Sequence, residues 1–124
     1  MLLIDEILEV DGSHAVTSAV ISESFPLSSD NGVDPLIMVE LAAQTAGVCN
    51  GLERLQAQGK DSSQMGWLVG VKRAQFHIDS IPLNSRVVIR SENTHKYESL
   101  REVSSVLHLG DVLIGELTLQ LFKA

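Results

Sequence analysis

The sequence predicts an α+β fold in which an antiparallel sheet wraps around one long central helix. Two observations carry this. The stretch Asp34–Gly59 (DPLIMVELAAQTAGVCNGLERLQAQG) reads as one uninterrupted helix that is apolar on nearly every face. Every other patterned segment reads as a strand, two before the helix and four after it. A helix that is apolar all round is normally buried, and a lone helix segregated from an antiparallel sheet is a layered α+β arrangement.

The helix carries its own punctuation. Asp34 is a good N-cap and Pro35 suits the first helical position, where its missing N–H is not needed. Gly59 offers a left-handed stop, and Lys60 suits the negative end of the helix dipole. Glu53, Arg54, Gln56 and Gln58 mark the last turns as solvated. Within the apolar part, Glu40 and Gln44 lie four residues apart and so share one face. Gly47 and Gly51 continue that stripe and leave room for a close approach to the backbone. A carboxylate in a buried helix is expensive without partners or a task. Glu40 is therefore expected to be buried and functional, with Gln44 orienting it or pairing across an interface.

Before the helix, Ile7–Val10 and His14–Glu23 form an expected hairpin around Asp11-Gly12-Ser13. A Ser/Asp/Asn/Gly/Pro loop (SFPLSSDNGV) then leads into the helix, and loops of this length are often functional. After the polar segment 60–64, strands are expected at Met65–Ile78, Arg86–Glu98, Arg101–Leu109 and Val112–Phe122. Ile81–Ser85 and Gly110-Asp111 supply turns between them. The last strand alternates, with Leu113, Leu117, Leu119 and Leu121 on one side and Glu116, Thr118 and Gln120 on the other. A curved sheet around a central apolar helix is the hotdog arrangement, expected here as one domain over residues 1–124.

Composition limits the partners. The chain has 124 residues, 44% hydrophobic and 20% charged, with a formal net charge of −7. That charge disfavours a phosphate-backbone binder and an anionic membrane surface, although Lys72-Arg73 could form a local patch. No apolar run is long enough to span a bilayer, and MLLIDEILEV lacks the features of a secretory leader. The single Cys49 reads as a buried thiol in a reducing compartment. A cytoplasmic protein without nucleic-acid or membrane partners is expected.

Three stretches then resemble hotdog-fold 3-hydroxyacyl-ACP dehydratases, closest to the small branch associated with aryl-polyene gene clusters. Met1–Asp5 with Ile7–Gly12 resembles the family's opening. Val39–Gly47 resembles its glutamate-bearing E-x-x-A-Q-x-x-G stretch, and Gly70–Phe76 its strand of Gly, basic residues and Phe. The similarity runs from Met1 to Phe122. It implies an acyl-thioester substrate on acyl-carrier protein or coenzyme A, no cofactor, and a homodimer or higher oligomer. In that family a His from one subunit takes the C2 proton, and a Glu from its partner's helix helps the 3-hydroxyl leave. Glu40 carries over directly, in an apolar setting that would raise a carboxyl pKa.

Two positions depart from the family's pattern. Its His-Phe-Pro is here Ser24-Phe25-Pro26, and its Pro-Gly before the helix is Asp34-Pro35, whose proline has no N–H to offer a thioester oxygen. The expected site is therefore Glu40 and Gln44 as catalytic residues, with Ser24, Phe25, Gly47 and His77 around the substrate. His77 ends its strand next to Phe76, whereas His14, His95 and His108 read as ordinary strand histidines. The four are too scattered for a metal site. Met38, Trp67 and Phe25 read as core, able at most to line an acyl tunnel. Three activities stay open: a dehydratase-like lyase, a hotdog thioesterase using the helix carboxylate, or a half-site subunit paired with a His-bearing paralogue.

Overall fold

A computed structural model describes residues 2–58 and 67–123. Six strands form one antiparallel sheet in the order β1-β2-β6-β7-β8-β5. They are β1 (Glu6–Val10), β2 (His14–Val20), β5 (Trp67–Phe76), β6 (Arg86–Tyr97), β7 (Leu100–Leu109) and β8 (Val112–Lys123). The helix α1 (Ile37–Gln58) packs against β2, β5, β6, β7 and β8. The architecture is the expected hotdog sheet and helix.

The first hairpin turns where Asp11 dictates. Its Oδ1 accepts the N–H groups of Ser13 (2.7 Å) and His14 (2.9 Å) and the Ser13 hydroxyl. These bonds, the Ser13 N–H first, hold the Asp11 carboxyl well below the usual carboxylate range.

The helix starts later than its apolar pattern suggested. Asp34 does cap it, accepting the Leu36 N–H at 2.9 Å, but the entry is a tight turn. Ile37, Met38 and Val39 donate to the carbonyls of Asp34, Pro35 and Leu36, three residues back in each case. The expected stop at Gly59 with Lys60 lies outside the described residues.

The segment expected as an open loop contains a small hairpin, β3 (Ser28–Ser29) with β4 (Gly32–Val33). Val33 and Ile81 exchange backbone bonds of 2.9 and 2.8 Å, drawing this hairpin onto the turn before β6. Gly32 sits at φ +120°, and a Cβ there would run into the Ile81 carbonyl oxygen. The turn residues of SFPLSSDNGV thus build structure of their own.

The core lies between sheet and helix. Ile37, Met38, Leu41, Ala42 and Ala46 meet Val87, Ile89, Val103, Leu107, Leu119 and Leu121. One expectation about β8 changes. Ile114 is fully buried, whereas Leu113 is only half-buried. The register between β7 and β8 shifts at Leu107/His108, so an extra residue breaks the alternation and brings Ile114 inward. Gly115 follows because Met38 Sδ occupies the place of its missing side chain.

Hydroxyls tie the helix to the sheet. Thr45 gives its proton to the Leu41 carbonyl, so Thr17 must donate to Thr45 across 2.8 Å. Ser91 reaches the Ala42 carbonyl and also meets Ser105 at 2.7 Å. Asn50 and Asn93 exchange two bonds of 3.2 and 3.0 Å. These buried polar groups find partners and fix the helix's rotation about its own axis.

That rotation leaves one helix face uncovered by the chain's own sheet. Leu36 is 54% exposed, and Glu40 and Gly47 are exposed on the same side. The sheet therefore covers the helix from one side, where the apolar pattern had suggested enclosure.

Candidate active site

Glu40 lies in the first turn of α1, on its open face. This corrects the expectation of a buried carboxylate. Apolar neighbours in sequence do not bury a residue when the six-stranded sheet packs against the opposite face. The desolvation expected at this position is not supplied by the chain's own sheet.

What the chain does supply is orientation. Gln44 Nε2 donates to Glu40 Oε1 at 3.0 Å, and Gln44 Oε1 accepts the Leu3 N–H at 2.8 Å. A backbone N–H can only donate, so Leu3 fixes which end of the amide faces Glu40. The Glu40 Oε1 atom is held while Oε2 carries no hydrogen bond among the described residues. Here helical spacing and the N-terminal segment meet: residues separated by the whole of β1, β2 and the loop are joined by one amide.

Glu40 is the polar side chain among the described residues lining a cleft of about 470 Å³. Its other walls are Leu3, Pro26, Leu27, Leu36, Ile37 and Val39. An apolar cleft with one oriented carboxyl group is the expected form of a site for a substrate with an apolar tail.

The remaining sequence candidates fall in different places. Phe25 belongs to the core, so the cleft is lined by its neighbours Pro26 and Leu27 instead. Ser24 is exposed, and its hydroxyl pairs with Ser22 Oγ at 2.7 Å rather than lining the cleft. Gly47 lies further along the open helix face, with open space where a Cβ would be. His77 follows β5 and meets Glu116 Oε2 at 3.0 Å. The chain thus brings Glu40 and Gln44 together, but not with Ser24, Phe25, Gly47 or His77.

The helix entry offers no amide to a ligand either. The N–H groups of residues 36–39 are all engaged, the first by the Asp34 carboxylate and the next three by backbone carbonyls. Pro35 has none to give.

Other titratable groups are paired away from the cleft. His14 lies 3.0 Å from Asp11 Oδ2, and His95 lies 3.0 Å from Glu102 Oε2. Lys72 meets Glu102 at 2.8 Å and, with His95, holds that carboxyl below its ordinary range. Cys49 is buried. Among the described residues no helix is long and apolar enough to cross a membrane.

Of the residues lining the cleft only Glu40 was a sequence candidate; Leu3, Pro26, Leu27, Leu36, Ile37 and Val39 were not. Leu3 acts through its backbone, which side-chain patterns cannot reveal. Leu27 directly follows Phe25-Pro26, and that position was the available signal.

One antiparallel sheet packed on a single long helix defines a hotdog protein. A model of the ApeP-like family, described as ApeP dehydratase, matches residues 1–124, and the chain belongs to that family. No individually curated protein matches the sequence. Solved structures share the fold. A chain of the dehydratase heterocomplex ApeI:P from Xenorhabdus doucetiae aligns with a TM-score of 0.86 at 16% identity, covering 99% of this chain and 83% of that one. A hypothetical thioesterase protein with coenzyme A from Streptococcus pneumoniae gives 0.72 at 13% identity, covering 96% and 87%. A Helicobacter felis homologue of HP0420 gives 0.71 at 15% identity, covering 98% and 79%.

Proposed function

We propose that this chain contributes the acid half of a dehydratase site acting on 3-hydroxyacyl thioesters. The observation that carries this is the Glu40 carboxyl, held by Gln44 in the lining of an otherwise apolar cleft. In the reaction, a base removes the C2 proton and Glu40 gives its proton to the 3-hydroxyl. The C3–O bond breaks, water leaves, and the C2–C3 double bond forms. The Gln44 N–H then supports the negative charge left on Glu40. Neither step draws on a cofactor. Shielding of the carboxyl group from water would come from the acyl chain and from a covering subunit.

The base belongs to a second chain in this reading. Ser24 stands where the resemblance implies a histidine, and among the described residues the cleft is lined by none. The open face of α1 around Glu40 suits a partner that brings one, either a second copy or a His-bearing paralogue. The dehydratase heterocomplex among its structural neighbours fits the same arrangement. The buried thiol of Cys49 is compatible with a reducing cytoplasm.

A thioesterase reading has one observation in its favour, since an exposed, oriented carboxylate can activate water without a histidine. Product analysis separates the two. The chain, alone and mixed with a His-bearing hotdog partner, is incubated with a 3-hydroxyacyl thioester. An enoyl thioester formed chiefly in the mixture supports the half-site dehydratase. Free acid formed by the chain alone contradicts it and selects the thioesterase.

A further inference from the structure

We infer that Leu27 sets the acyl length accepted by the Glu40 cleft, its side chain held in the cleft wall by a strained backbone turn. This rests on the acyl-thioester reading above. Leu27 sits at φ +65°, in the left-handed region that a bulky side chain rarely adopts. The other described non-glycine residue there is Asn84, a type that tolerates it.

Two hydrogen bonds and a buried neighbour hold the chain around Leu27. Its carbonyl accepts the Asp34 N–H at 3.1 Å, and the buried Phe25 anchors the chain two residues earlier. On the other side, Ser28 Oγ donates to the Glu23 carbonyl at 2.7 Å and β3 begins. The turn is therefore imposed from both ends.

Leu27 gains little from the fold in return. It is 52% exposed and lies outside the buried core, yet it lines the cleft together with Leu36 and Pro26. A glycine would relieve the backbone and remove the exposed apolar surface at once. Strain of this kind persists where the surroundings over-determine it and concentrates at ligand clamps. The occupant that such a side chain suits is the tail of an amphiphile. The cleft has one carboxyl group among apolar walls, which match a fatty acyl chain carried on a polar thioester head.

The test uses the full chain in its native oligomeric state. Non-hydrolysable 2-oxoalkyl thioethers of increasing chain length, carried on coenzyme A and on acyl-carrier protein, are titrated calorimetrically. Leu27→Gly should make a longer chain the tightest binder, with a gain of about tenfold for that chain. Its thermal stability should hold or rise, since glycine accepts the positive φ. Leu27→Ala should shift the length preference in the same direction without the stability gain, separating the side chain from the backbone. If the wild type binds the series and both variants keep its length profile, this inference is overturned while the acyl-thioester reading stands. If the wild type binds none of them on either carrier, the acyl-thioester reading fails and this inference falls with it.

Discussion

Gln44 holds Glu40 across 3.0 Å while its own amide oxygen is pinned by the Leu3 N–H. One side chain thus spans from the N-terminal segment to the carboxyl group of the helix, and it can do so in only one orientation. The arrangement leaves the second carboxyl oxygen of Glu40 without a hydrogen bond among the described residues.

Gln44→Ala removes a hydrogen bond to an ionisable group and frees the Glu40 side chain to rotate. A bond of this kind contributes about 1.5–3 kcal/mol, so kcat/KM on the acyl thioester should fall about 10- to 100-fold. The chain should still fold, because Glu40 itself is exposed. Steady-state kinetics beside a circular dichroism melt measures both. An unchanged kcat/KM would remove Gln44 from the site.

Gly115 and Met38 should be energetically coupled. A methyl at position 115 meets the Met38 thioether, which must swing aside. Gly115→Ala should cost about 1–3 kcal/mol, towards the low end because a methionine side chain adapts. Met38→Ala alone should cost about 2–5 kcal/mol and less in the Gly115→Ala background, where the methyl fills part of the cavity. Urea denaturation of the four proteins closes the cycle. Strict additivity would show that the two residues do not share that space.

Asp11 should leave a signature at acid pH. Its folded carboxyl is held below the ordinary range by the Ser13 and His14 N–H groups. Its stabilising contribution is therefore complete above the unfolded value, about pH 4, and is lost as pH falls from there through the folded value. Asp11→Asn keeps an oxygen acceptor but does not titrate. The stability advantage of the wild type over this variant should be largest near neutrality and shrink as pH falls below about 4. A difference independent of pH would mean that the turn does not depend on the ionised carboxylate.

Much of the fold was legible because it rests on local rules. Short apolar and β-branched runs between turn signals located all six sheet strands, Asp11-Gly12 located the first turn, and Asp34 located the helix cap. The β8 bulge was not legible, because Ile114 turns inward only through the register of β7 on β8. The mini-hairpin at Ser28–Val33 was hidden for a similar reason, since its partner is Ile81, far along the chain.

The site was legible in part. Spacing alone paired Glu40 with Gln44, and the structure joins them. Burial of Glu40 was misread because an apolar helix says nothing about how many of its faces one chain covers. Ser24 and His77 are chemically suitable but lie outside the Glu40 cleft, and Gly47 sits further along the same open helix face. Leu27 was missed because a residue's φ is not written in its side chain.

The half-site account stands or falls on Glu40. Wild type and Glu40→Gln are compared for reversible hydration of an enoyl thioester, each alone and with a His-bearing hotdog partner, after light scattering confirms the same assembly. The amide keeps the shape and the bond geometry to Gln44 but cannot give up a proton. In the active assembly, turnover should drop about a hundredfold or more, with the melting temperature held or raised. Equal turnover by the two proteins, or a variant that keeps its rate but loses stability, would contradict a catalytic role for this carboxyl group and make it structural.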